Sequence, residues 1–389
     1  MPVPAQRDPE QARSAITSWL SRWRPGATDI DVSAFQGPGA TGFSNETLIF
    51  DASWTEDGER HDEGLVIRVK PTGFRVFLEA DFESQWRVMS ALAEHTDIPI
   101  PPMLAFESDP SVLGAPFILM GKVRGAAPAD NPPYTTEGWL FDGTPEQQRR
   151  LCEGGLDTMA RVHLVDWRGL DLGFLDKTSR GPIGLTQQLD YYREYLAWAS
   201  AGRPQPIAEA ALVWLEANRP PELAEGVEDI RLSWGDARIG NMLWDDFTCS
   251  AVLDWEMVTL GHPAADVAWW LFLERHHSEG MSVAPLPGFP TRGESIARYE
   301  AASGIPVAHL VDYYEVLAGY RFAVIMMRLA QMLEEYGLVP AGTDMETNNI
   351  PTQLLAKMLG LPAPGPPFES QLGATHPDDG TRDASGGVA

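Results

Sequence analysis

The segment Leu232-Ser233-Trp234-Gly235-Asp236-Ala237-Arg238-Ile239-Gly240-Asn241-Met242-Leu243-Trp244 gathers side chains able to do chemistry, and Ala251-Val252-Leu253-Asp254-Trp255-Glu256 follows closely. Met242 to Trp244 and Ala251 to Leu253 are short apolar runs separated by a polar turn, which predicts a hairpin. In a hairpin centred on that turn, residues whose numbers add to 495 lie opposite each other, and Asn241 and Asp254 satisfy this. An amide oxygen and a carboxylate meeting at one point suit a hard cation such as Mg²⁺. Asp236, five residues before Asn241, would then be a proton acceptor beside the ion, and Arg238 a cation able to cover a transferring phosphoryl group.

A second cluster lies far upstream. Gly37-Pro38-Gly39-Ala40-Thr41-Gly42 satisfies G-x-G-x-x-G. In a dinucleotide fold the third glycine must open a helix. Here the residues from Asn45 to Trp54 alternate with period two and run into the turn Thr55-Glu56-Asp57-Gly58. The loop therefore joins strand to strand, the arrangement in which backbone N–H groups cover the phosphates of ATP in kinase-type loops; an ordinary glycine turn is the plain alternative. On the next predicted strand Val66, Arg68 and Lys70 share one face and Leu65, Ile67 and Val69 the other. Either cation could meet phosphate or sit solvated at an edge.

These stretches together resemble the aminoglycoside phosphotransferase-like enzymes, relatives of the protein kinases, and especially their acyl-CoA-dehydrogenase-associated and mycobacterial branches. The likeness runs over about residues 30–340 through Gly42-Phe43-Ser44-Asn45-Glu46-Thr47, Leu65 to Val69, Gly114-Ala115-Pro116-Phe117, Ala160-Arg161-Val162-His163, Trp234 to Leu243, Val252 to Glu256 and Gly261-His262-Pro263 to Asp266. The D-x-x-x-x-N spacing of Asp236 and Asn241 is that of a kinase catalytic loop. The resemblance implies Asp236 as catalytic base, with Arg238 beside it, and Asn241 and Asp254 as metal ligands. It implies Arg68 as the strand cation, Gly42 and Ser44 in the phosphate-covering loop, and Met120 to Lys122 as a hinge facing adenine. ATP and Mg²⁺, and a small hydroxylated molecule as acceptor (aminoglycoside-like, hydroxyacyl-CoA or another metabolite), are implied with them. Trp234 stands where most members have His, and Arg68 where many have Lys; a rigid guanidinium fork is not a compact ammonium. Gln85, with Glu79 and Glu83 nearby, stands where a helix glutamate would pair the strand cation, so a nucleotide-binding pseudokinase with a regulatory role is the rival reading.

The implied fold is α+β, a two-lobed protein-kinase-like architecture. Helices are expected near 9–23, 78–94, 145–165, 185–201, 207–217, 264–276 and 307–335, a β-hairpin over 48–69, a strand at 117–120 and a strand pair near 242–254. A strand-rich N-lobe (1–121) would precede a helical lobe (122–363) and a Pro/Gly/Asp/Ser-rich disordered tail (364–389). The 29 Lys and Arg against 55 Asp and Glu leave a net charge of −26, which argues against nucleic acid and anionic membrane surfaces as partners. No apolar run reaches the roughly 18 residues of a membrane span, the densest being Ala264 to Leu273. The first residues lack an apolar signal core and the two cysteines, Cys152 and Cys249, match no metal or disulfide spacing, so the expected setting is cytoplasmic. Elsewhere the expectations are structural: His163 packs, Asp266 braces the catalytic loop, Trp269, Trp270 and Phe272 are core, His276 and His277 lie on the surface, and residues 126–143 with the helices of 185–217 wall the acceptor site.

Overall fold

The computed structural model describes residues 7–36, 46–79, 81–223 and 227–367. Helix α1 (Pro9–Trp23) starts where predicted, with Pro9 at its first position and the Asp8 carboxylate accepting from Gln11 N. Its Ile16, Trp19 and Leu20 pack on a five-stranded antiparallel sheet. The strands are β1 (Thr28–Val32), β2 (Glu46–Glu56), β3 (Glu59–Val69), β4 (Met103–Glu107) and β5 (Phe117–Gly121), in the order β1-β2-β3-β5-β4. The β2–β3 hairpin turns through Asp57 and Gly58, both at positive φ. Leu65, Ile67 and Val69 of β3 are buried beneath α1, while Val66 and Arg68 turn toward the rest of the chain. The glycine-rich loop, with Gly42 and Ser44, lies outside the described residues.

Helix α2 (Phe82–His95) begins four residues later than the pattern near 78 implies. Asp81 caps it by accepting from Ser84 N, and the preceding segment is drawn onto the helical lobe instead. There Arg328 donates to Arg75 O, Tyr195 OH donates to Val76 O, and Arg180 pairs with Glu79.

The larger lobe holds α3 (Pro145–His163), α4 (Leu185–Ser200), α5 (Pro206–Ala217), α6 (Ala264–His276), α7 (Arg292–Ser303), α8 (Ala308–Glu335) and α9 (Ile350–Leu359). Among the described residues α8 alone is long and apolar enough to cross a membrane, an element that a search for unbroken apolar runs does not find. It packs against α4, α5, α6 and α9, and 72% of its apolar stretch is buried, as a core helix requires. α7 and α9 were not expected; each opens with a reciprocal cap, Thr291 with Glu294 and Asn349 with Thr352. The first residues of the expected disordered tail are held instead, Asn348 and Gln353 donating to the carbonyls of Gly365 and Pro366; from 368 onward the tail lies outside the described residues.

Short strand pairs frame the segment that carries Asp236, Asn241 and Asp254. β6 (Arg231–Ser233) pairs with β9 (Thr259–Gly261), and β7 (Met242–Asp245) with β8 (Thr248–Val252). The register of the second pair differs from the expected one: Met242 faces Val252 and, past a bulge, Asp245 faces Thr248. The turn is only Asp246-Phe247, both left-handed, so its centre sits earlier than a six-residue turn would put it. Asn241 is not a strand partner of Asp254; its carbonyl accepts from Leu253 N at 2.8 Å.

Candidate active site

The loop between β6 and β7 is fixed from below by α6. Asp266, in the first turn of α6 and fully buried, accepts from Trp234 N (2.7 Å) and Gly235 N (3.0 Å). Gly235 has φ +90° and a Cβ there would meet Met257 O at 2.0 Å, so only glycine fits. His163 of α3 holds Asp266 in turn, with Nε2 at 3.0 Å from Oδ2, while its Nδ1 lies 2.6 Å from Tyr299 OH. Burial pushes the Asp266 carboxyl up, but hydrogen bonds from His163 and Ser233 outweigh it and leave it below the ordinary value. The structural expectations for His163 and Asp266 hold. Trp234 keeps a framing role with a different group: its indole N–H donates to Leu253 O, tying the loop to the strand before Asp254.

Asp236 is presented by this loop with both oxygens engaged. Trp269 Nε1 donates to Oδ1 at 2.7 Å and Asn241 Nδ2 to Oδ2 at 2.7 Å. Burial pushes its pKa above the ordinary carboxylate value; Arg238 opposes the shift and the charge of Asp254 adds to it. Trp269 is thus more than core. It shares a helix face with Asp266, three residues before it, and that spacing was the available signal.

Arg238 is turned to carboxylates. Its Nη1 donates to both oxygens of Asp130 (2.8 and 3.0 Å), and its Nε lies 3.6 Å from Asp236 Oδ2. Asp130, which the sequence reading placed only in a recognition loop, is held well below the carboxylate range: burial would raise it, but Arg238 and His277 outweigh burial. His277 Nε2 lies 3.3 Å from Asp130 Oδ1. The expected surface placement of His276 and His277 is therefore wrong. Both are buried, because the end of α6 runs under the loop carrying Asp130 instead of out to solvent.

Asp254 sits at φ +57°, a left-handed conformation that is costly for a non-glycine residue and turns the chain away from β8. Arg68 Nη2 donates to its Oδ1 at 3.1 Å. Burial lowers the Arg68 pKa, yet Asp254 and Glu256 outweigh it and the guanidinium is held above its ordinary value. The strand cation thus pairs with Asp254. Gln85 is buried and its Oε1 has no hydrogen-bond partner among the described residues. At the end of β5, Gly121 N donates to Pro102 O and Lys122 N to Gly64 O, so these amides are engaged in the protein. The Lys122 ammonium reaches Gln36 (3.1 Å) and Asp51 (3.8 Å).

Asp130, Asp236, Arg238, Asp254 and Glu256 line one end of a cavity of about 470 Å³. Its other walls are mostly apolar, with Leu273 of α6, Met281 and Val283 after it, Phe322, Ile325, Met326, Leu329 and Leu333 of α8, and Met345, Ile350 and Pro351, interrupted by a few polar side chains such as His276 and Asn349. The expected walls are only partly right. Asp130, Asn131, Pro133 and Thr136 line the cavity, but Tyr134 lies behind it, 3% exposed and packed on His277. α4 lines a smaller chamber of about 120 Å³ instead, with Gln187, Gln188, Tyr191 and Tyr192.

A Mg²⁺ ion fits the donors present. Asn241 Nδ2 is committed to Asp236, which leaves its Oδ1 as the side-chain atom that could meet a cation, and Arg68 occupies one oxygen of Asp254. Among the described residues no group of three His, Cys, Asp or Glu could hold a metal ion. One amide and one carboxylate oxygen suit an ion that keeps waters and shares phosphate oxygens.

The chain is 29% identical over 278 residues to the Arabidopsis thaliana protein named probable acyl-CoA dehydrogenase IBR3, covering 68% of this chain and 32% of that one. It is 28% identical over 276 residues to mouse acyl-CoA dehydrogenase family member 10, covering 68% and 24%. The chain thus spans a third or less of these relatives' length. Among solved structures, a Ralstonia eutropha protein assigned as an aminoglycoside phosphotransferase superposes with a TM-score of 0.64 at 23% identity, covering 89% of this chain and 96% of that one. The macrolide 2'-phosphotransferase MphH from Brachybacterium faecium gives 0.51 at 16% identity, covering 90% and 99%. These likenesses establish the two-lobed kinase-like fold. The model of the family described as "Phosphotransferase enzyme family" matches residues 42–327, well over half of the chain, and the protein belongs to that family.

Proposed function

We propose that this phosphotransferase, which acts on a hydroxyl of a small molecule, moves the γ-phosphoryl group of ATP with Mg²⁺ to a hydroxyl on a largely apolar acceptor such as a hydroxyacyl chain. One observation carries the reading: a single cavity joins Asp236 to a long apolar wall. An aminoglycoside is a polycation and would need carboxylates along that wall, where Leu273, Met281, Phe322 and Ile325 stand. The acyl-CoA dehydrogenase names of the relatives agree with an acyl chain. The aminoglycoside 2'-phosphotransferase-IIIa structure, 13% identical with a TM-score of 0.53, is a GDP complex, and nucleotide use is consistent with it.

In this reading the acceptor oxygen attacks the γ-phosphorus, the bond to the β–γ bridging oxygen breaks, ADP leaves, and the hydroxyl proton passes to Asp236. Trp269 and Asn241 hold the carboxylate in position for that transfer. Its raised pKa makes it a better proton acceptor than an ordinary aspartate. Arg238, braced by Asp130, restrains Asp236 and lends positive charge to the transferring group. Asn241 and Asp254 would hold Mg²⁺, which supplies charge to the phosphate oxygens when bound. Arg68 steadies Asp254 from the sheet and, with Gly42 and Ser44, serves the phosphates.

The test is metal-linked nucleotide binding. Calorimetry with a non-hydrolysable ATP analogue should show Asp254→Ala losing about tenfold or more in affinity with Mg²⁺ present and little without it. Equal losses under both conditions would make Asp254 a structural residue and remove the metal site.

A further inference from the structure

Away from the catalytic carboxylates the cavity wall is nearly all apolar, and its few polar side chains differ in one respect. Thr136 Oγ1 donates to Pro133 O. Asn349 accepts from Thr352 N and donates to Met345 O, closing the cap of α9. Both are spent within the protein. His276 also lines the cavity; it is 9% exposed, and its Nδ1 has no hydrogen-bond partner among the described residues. Its ring is fixed by packing, 4.9 Å from the His277 ring and 5.0 Å from that of Phe322. Burial and the neighbouring His277 push its pKa well below the ordinary value, so it is a neutral imidazole with one N–H donor and one acceptor nitrogen. A buried polar atom left unpaired costs free energy that a ligand atom can return.

The position of His276 gives this a length. Trp269, Leu273 and His276 fall on one face of α6, and Trp269 donates to Asp236. His276 is seven residues further on, about 10 Å along the helix axis. Phe322 fills the space between, with its ring 5.6 Å from Trp269 and 5.0 Å from His276.

We infer that His276 is a specificity-determining residue: it hydrogen-bonds a second oxygen function, a hydroxyl or carbonyl, on an apolar acceptor whose reacting hydroxyl lies at Asp236. This rests on reading the cavity as the acceptor site. The acceptor class is then an aliphatic chain bearing two oxygens, with the spacing between them set by the reach from Asp236 to His276 along the cavity. A simple long-chain alcohol would fill the same wall and leave His276 unpaired.

Alkane-α,ω-diols from hexanediol to dodecanediol, with monoalcohols of matched length, serve as a ruler. Their binding to the full chain is measured by calorimetry, and their phosphorylation in the presence of Mg-ATP by product mass. The wild type should bind one diol length about tenfold more tightly than its matched monoalcohol. His276→Phe should abolish that preference and leave monoalcohol binding intact, while His276→Gln retains part of it. No diol preference in the wild type, or one that survives in His276→Phe, overturns the inference. Should His276→Phe not fold, His276→Gln against wild type carries the comparison, and an unchanged preference there counts against it. A diol preference in binding without phosphorylation of any alcohol keeps the inference and defeats the proposed function. Phosphorylation of both alcohols without preference does the reverse.

Discussion

The two ends of the main cavity are built on opposite rules. At the carboxylate end the charged groups constrain one another: Arg68 on Asp254, Arg238 on Asp130 and near Asp236, and Asn241 and Trp269 on the oxygens of Asp236. Beyond it methionine, leucine, isoleucine and phenylalanine side chains from α8 and the segments after α6 make a mainly apolar wall. The first arrangement holds a few atoms in fixed places, as placement and charge stabilisation require. The second excludes water and accepts shape, which lets an acceptor differ while the chemistry stays the same.

The contrast can be broken most directly at Asp236. Asp236→Asn keeps the side-chain shape but turns one of the two accepting oxygens, bonded by Trp269 and Asn241, into a donor and removes the proton acceptor, so turnover with a working acceptor should fall by about 10²-fold or more while nucleotide binding is retained. Steady-state kinetics beside nucleotide calorimetry would check it, and near-wild-type turnover would refute the assigned role.

A second carboxylate sharpens the contrast from outside the site. Glu274, on α6, is half-buried and, among the described residues, accepts from Trp270 Nε1 (2.6 Å) and Cys152 Sγ (3.3 Å). Burial raises its pKa from 4.5 to about 7, with those two hydrogen bonds opposing. The folded state therefore holds this proton more tightly than the unfolded chain. Its contribution to stability is present below pH 4.5 and is lost as pH rises toward about 7. The loss is at most on the order of 3 kcal/mol. Glu274→Gln keeps an acceptor for Trp270 and should flatten that pH dependence in denaturant unfolding followed from pH 4.5 to 8. An unchanged slope would mean that other groups set it.

Legibility followed the same division. Asp236, Asn241 and Asp254 stood out as candidates because phosphoryl chemistry restricts residue type and spacing, and the structure brings Asn241 onto Asp236 and Arg68 onto Asp254; the face of β3 carrying Arg68 could be read from strict alternation. The β7–β8 register could not, because Asp246 and Phe247 adopt a left-handed two-residue turn without the usual Asn-Gly signature. β1 and β4 were missed for want of alternation: Thr28–Val32 is mostly exposed, and all five residues of β4 are half-buried. α7 did announce itself through Thr291 and Glu294, a capping pattern left unused. Burial of His276 and His277 depends on where the loop carrying Asp130 crosses α6, and no local pattern encodes that crossing. Tyr134 failed as a wall residue for the same reason, since its neighbours face the cavity and it faces His277.

The proposal that ATP phosphorylates a hydroxyl on an apolar chain in this cavity can be tested by competition. Purified protein with Mg-ATP can be offered a hydroxyacyl thioester and an aminoglycoside in one competing reaction, with both phosphate esters quantified by mass spectrometry. The account predicts the ester on the aliphatic hydroxyl, favoured in kcat/KM by roughly tenfold or more. Preferential phosphorylation of the aminoglycoside would contradict it.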